Sequence, residues 1–117
     1  LLLTGLLAVS LMAKNAAVDS AAKLAKEGKH DEAIAALDAE YKKSPKAAEV
    51  KTALISTLMG KGDSLMNDPN VPPRMKYPGA LRAYRRVVEL DPANAKAKSQ
   101  ISTIEGIYKS MGRPVPQ

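Results

Sequence analysis

Few residues in this chain have side chains suited to catalysis or ligation. The one histidine, His30, is followed by Asp31 and Glu32, a group that could act as a weak acid–base pair. The chain contains no cysteine, which excludes thiolate chemistry and disulfides and leaves the redox compartment unreadable. A single histidine cannot build a multi-histidine metal site. Asp38, Glu40, Asp63 and Asp68 lack the spacing of a calcium loop. No phosphate-cradling glycine loop, zinc-binding HExxH helix or GxSxG elbow is present. Asp31 and Glu32 read better as the acidic first turn of a helix, where the helix dipole favours negative charge. The expectation is a non-enzymatic chain with no catalytic residue, no cofactor, no metal and no small-molecule substrate.

A basic run is the most suggestive local feature. Arg74, Lys76, Arg82, Arg85 and Arg86 are interrupted by no acidic residue. Arg82 and Arg86 share a helix face, and Arg85 can pair with Glu89 one turn on. Three roles compete for this run: a solvated helix face, a docking patch for an acidic protein, or contact with anionic headgroups. Nucleic acid comes last and is not the expected partner, because little aromatic interleaving accompanies the charge and no recognition motif is present.

The elements that must position these groups are helical. The 117 residues fit one domain, with 18 basic and 12 acidic residues giving a formal charge of +6. Alanine and leucine abound, phenylalanine and tryptophan are absent, and the aromatics are Tyr41, Tyr77, Tyr84 and Tyr108. Strands draw on β-branched and aromatic residues, whereas alanine with lysine and glutamate favours helix. The expected fold class is all-α.

Two segments align internally: EGKHDEAIAALDAEYKKSP ending at Pro45, and KYPGALRAYRRVVELDP ending at Pro92. The alignment pairs His30 with Tyr77, Ala33 with Ala80, Leu37 with Tyr84 and Tyr41 with Val88. Ala33 and Ala80 would let helices approach closely. Gly28 would turn the chain between helices. Pro45 and Pro92 would sit just inside the next helix, with Ser44 and Asp91 as N-caps. Val50, Leu54 and Leu58 form one apolar stripe, and Gly62 marks the next turn. A proline-containing loop is expected from Asp63 to Lys76, with Leu65 and Met66 able to extend the preceding helix by a turn. Ala97, Ile101, Ile104 and Tyr108 form the stripe of a last helix, followed by the extended tail RPVPQ.

These spacings resemble the tetratricopeptide repeat family. The resemblance implies an α-solenoid of two helix hairpins plus a C-terminal capping helix, preceded by an apolar N-terminal helix. Repeat 1 would cover 14–45 and repeat 2 would cover 46–92 with the inserted loop 63–76. The capping helix would span 93–112 and the tail 113–117. In this scheme His30 takes the place of a packing aromatic. The family binds other proteins, and the first helices of its hairpins line a groove. Here the groove candidates are Val18, Ala22, Lys26, Thr52, Ser56, Met59, Lys96, Ser99 and Thr103. The lysine and asparagine clamp of the family's chaperone-binding members is largely missing, with Val18, Ala22 and Ala53 in its place and only Lys96 fitting.

Leu1–Ala13, LLLTGLLAVSLMA, carries no charge. It is shorter than the roughly 20 apolar residues of a spanning helix and matches the apolar region of a secretory signal. The leading expectation is a retained signal-anchor of which these residues are part. It would hold the repeat domain at a membrane on the exported, periplasmic side, as an accessory or assembly subunit of a membrane complex. The alternatives are a soluble periplasmic adaptor released by cleavage near Ala8-Val9-Ser10, and a helix buried in a soluble fold.

Overall fold

The structure, a computed structural model, describes residues 16–117, which are helical and contain no strand. Five helices follow one another: α1 (16–26), α2 (His30–Lys43), α3 (Ala48–Asn67), α4 (Pro73–Leu90) and α5 (Ala95–Ser110). The chain divides into two compact units, Leu1–Thr57 and Leu58–Gln117, with the division falling inside α3. The apolar segment Leu1–Ala13 lies outside the described residues.

In the first unit, α1 ends at the expected glycine. Gly28 has φ +80°, and the Lys29 N–H donates to the Leu24 carbonyl at 2.9 Å, closing the helix end. Glycine takes this left-handed backbone with little strain. Helix α2 carries Asp31 and Glu32 in its first turn and Lys42 and Lys43 in its last, matching charge to dipole at both ends. Among the described residues, the buried apolar ones of this unit are Ala21, Ala33, Leu37, Val50 and Leu54. Thr57 is buried as well, and its hydroxyl donates to the Ala53 carbonyl at 2.8 Å, so no polar group is stranded.

The two internally aligned segments also share a backbone pattern. The N–H of Ser44 donates to Glu40 O at 3.0 Å, and the N–H of Asp91 donates to Val87 O at 2.7 Å. Each then starts a tight turn with proline second, closed by Ala47 N–H to Ser44 O and Asn94 N–H to Asp91 O, both at 3.0 Å. Proline's fixed φ suits that second position. This corrects the expected capping: Ser44 and Asp91 close the helices before them, and Pro45 and Pro92 belong to the turn. The N-cap of α5 is Asn94, whose side chain accepts the Ala97 N–H at 2.9 Å.

The second unit departs most from expectation between Gly62 and Pro78. Helix α3 runs through both Gly60 and Gly62 to Asn67, and α4 starts at Pro73, so the expected loop 63–76 shrinks to 68–72. Pro72 caps α4 and Pro73 occupies its first turn, where a missing N–H costs nothing. Pro78 then lies within α4. There it removes a hydrogen bond early in the helix, and buried Gly79, Ala80 and Leu81 hold the backbone in place immediately after it. Helix α5 packs along α4. Its boundaries, Ala95–Ser110, fall slightly inside the expected 93–112.

Candidate functional site

A polar cluster in the second unit draws on all three of its helices. Tyr84 of α4 is fully buried, and its hydroxyl donates to Asp63 Oδ1 of α3 at 2.6 Å. The same oxygen accepts from Gln100 Nε2 of α5 at 3.2 Å. Lys96 Nζ, also on α5, stands 3.4 Å from Asp63 Oδ2. Lys96 is 70% exposed and Asp63 31% exposed, so this outer pair is solvent-screened and adds little stability.

Burial raises the Tyr84 pKa well above the ordinary phenol value, and the hydrogen bond to Asp63 reinforces the shift. The phenol therefore stays protonated and serves as a permanent donor rather than a base or nucleophile. Gly62 makes room for its ring: a Cβ at Gly62 would lie 2.5 Å from Tyr84 Cε1. Gly79 similarly brings α4 against Leu65 of α3, whose Cδ1 would be 3.0 Å from an added Cβ.

The sequence pattern does not reveal this cluster, because Gly62 suggests a turn before Asp63 and Gln100 belongs to no motif. The available signal was Tyr84 itself, which replaces Leu37 in the internal alignment. A buried tyrosine hydroxyl needs a partner, and the aligned leucine does not.

The basic run is split by its contacts. Lys76 Nζ donates to Met66 O at 3.3 Å, supplying positive charge to the end of α3, whose last turn has no basic residue of its own. The Arg85 guanidinium donates to the Pro116 carbonyl at 2.8 Å and holds the C-terminal tail. Arg86 is half-buried and engaged in a contact of its own. Arg74 and Arg82 are exposed.

The groove candidates divide between the units. Val18, Ala22 and Lys26 lie on α1 at one-turn intervals, and Thr52 and Ser56 lie one turn apart on the first part of α3. Ala22, Lys26, Thr52 and Ser56 are exposed, and Val18 is half-buried. In the second unit Met59 is half-buried, while Lys96, Ser99 and Thr103 are exposed on α5. The Thr103 hydroxyl turns back onto the Ser99 carbonyl at 3.0 Å. Of these candidates, Lys96 reaches the polar cluster.

A hollow of about 450 Å³ opens at the first proline turn, lined by Glu40, Ser44, Pro45, Lys46, Ala47, Glu49 and Val50. Among the described residues, no group of three or more histidine and carboxylate side chains could hold a metal ion. No helix among them is long and apolar enough to cross a membrane. The sequence matches no family model, and neither the curated proteins nor the solved structures contain a match to it.

Proposed function

We propose that this chain is a non-enzymatic protein–protein interaction scaffold, built as a solenoid of tetratricopeptide-like hairpins. The observation that carries this reading is the duplicated helix, proline turn and helix, with matching hydrogen bonds around Pro45 and Pro92 and buried alanines at Ala33 and Ala80. Repetition of one supersecondary unit is how such arrays generate extended binding surfaces. The small, exposed side chains of Thr52 and Ser56 in the first unit, and those of Ser99 and Thr103 in the second, each suit contact with another chain without a deep pocket. The buried phenol of Tyr84 is held in its neutral form, which fits a structural role better than a catalytic one. In this reading Leu1–Ala13 anchors the scaffold on the exported face of a membrane, where it serves as an accessory or assembly subunit.

The test is photo-crosslinking in membranes of the native host, with a photoreactive amino acid at Thr52, Ser99 or Thr103. Crosslinks from these positions to one and the same protein support the scaffold. An absence of crosslinks at all three positions, alongside efficient ones at Glu89, removes the groove.

A further inference from the structure

Met75 and Met111 are the large apolar side chains most exposed among the described residues, at 61% and 49%. They stand far apart in sequence, yet the antiparallel α4–α5 pair brings their ends together. Tyr77, just after Met75, meets Tyr108, just before Met111, edge to face with ring centroids 6.3 Å apart. The end of α5 is held in shape: Gly112 has φ +67°, and the Arg113 N–H donates to Tyr108 O at 3.0 Å. Exposed Arg74, Lys109 and Arg113 flank the two methionines.

The unit that carries this end is also the less balanced of the two in charge. The second unit holds ten of the chain's 18 basic residues and five of its 12 acidic ones. In sequence, the acids next to these cations are Asp68, whose Oδ1 accepts the Asn70 N–H at 2.9 Å, and Glu105, a turn back from Lys109.

We propose that this end of the α4–α5 hairpin, through Arg74, Met75, Lys109, Met111 and Arg113, docks on an anionic phospholipid bilayer. Cations gain from the negative surface potential, and flexible apolar side chains beside them enter the boundary between headgroups and acyl chains. A protein partner would need a far larger complementary patch, on the order of 800 Å² per side, with an apolar centre. Two methionines at helix ends do not offer that, whereas a bilayer requires no matching pocket. The inference shares only Arg74 with the candidate basic patch and does not depend on the scaffold reading.

The absence of cysteine makes the test direct. The full chain carrying Met111→Cys, labelled with an environment-sensitive fluorophore, is mixed with phosphatidylcholine vesicles, with and without phosphatidylglycerol. The control is the exposed Ala95→Cys at the other end of α5. The expected result is a blue shift at position 111 only with the anionic vesicles and none at position 95. Combined R74E, K109E and R113E should weaken that response by at least on the order of a hundredfold, from roughly 1 kcal/mol per charge near the surface. Circular dichroism verifies that this variant folds, and K109Q alone gives a milder version if it does not. An equal response to neutral vesicles, unchanged by charge reversal, would assign membrane contact to Leu1–Ala13 and overturn the proposal. A probe silent on vesicles but shifted by polyglutamate would assign this end to an acidic protein and overturn it equally.

Discussion

The ring of Tyr84 occupies the space that a side chain on Gly62 would fill: an added Cβ would come within 2.5 Å of Cε1 and 2.6 Å of Cζ. The glycine is thus fixed by packing between α3 and α4, not by a turn. Gly62→Ala should destabilise the domain by about 1–3 kcal/mol through overpacking, despite alanine's better helix propensity. The ring cannot swing aside cheaply, because its hydroxyl is held by both Asp63 and Gln100. Adding Tyr84→Leu, which copies Leu37 of the other segment, should recover part of the loss. Urea denaturation of the two single variants and the double variant measures this coupling.

Removing only the hydroxyl isolates the polar cluster. Tyr84→Phe leaves Asp63 and Gln100 without their inner partner, and a cost of about 1–2 kcal/mol is expected. Asp63→Asn keeps an acceptor for Tyr84 and should cost less. Equal losses in the two denaturation midpoints would contradict the assigned hydrogen bonds.

The same phenol predicts a pH response. Its pKa in the folded state is raised above the unfolded value of 10.0, first by burial and then by Asp63. The neutral phenol is the form that folding favours, so its contribution is fully present below pH 10.0. It is lost as pH rises beyond that value, because the unfolded chain ionises at a lower pH than the folded one. The wild-type chain should therefore lose stability more steeply in alkali than Tyr84→Phe does. Thermal melts across the alkaline range compare the two slopes, and parallel slopes would place Tyr84 in contact with solvent.

Two arginines of one basic run should behave differently. Arg82→Glu changes an exposed side chain and should shift stability by no more than about 0.5 kcal/mol. Arg85→Ala releases the Pro116 carbonyl and should free the tail. Backbone NMR relaxation of Val115 and Gln117 checks this, with sharper tail resonances expected in Arg85→Ala and unchanged ones in Arg82→Glu.

How much of this was legible in the sequence depended on what each residue was doing. The all-helical class followed from composition, and Gly28 and the buried Ala33 and Ala80 could be read because close approach and left-handed turns favour few residues. Gly62 is a turn-former by local preference, and its packing against the Tyr84 ring overrides that preference. Asn94 is hidden as the N-cap because Asp91-Pro92 also fits a helix start by local preference, whereas here Pro92 lies in the turn before α5. In the candidate site, Lys96 was anticipated as a groove residue. Its connection through Asp63 to Tyr84 and Gln100 was not, since three helices must be in place before those side chains meet.

The scaffold reading is tested most directly by purifying the tagged chain from gently detergent-solubilised membranes. Mass spectrometry then identifies its companions and the state of its N-terminal segment. Recovery with integral membrane subunits, and with Leu1–Ala13 intact, is the predicted result. A chain recovered alone from the soluble fraction, trimmed near Ser10 or Ala13 and without a stoichiometric companion, would contradict it.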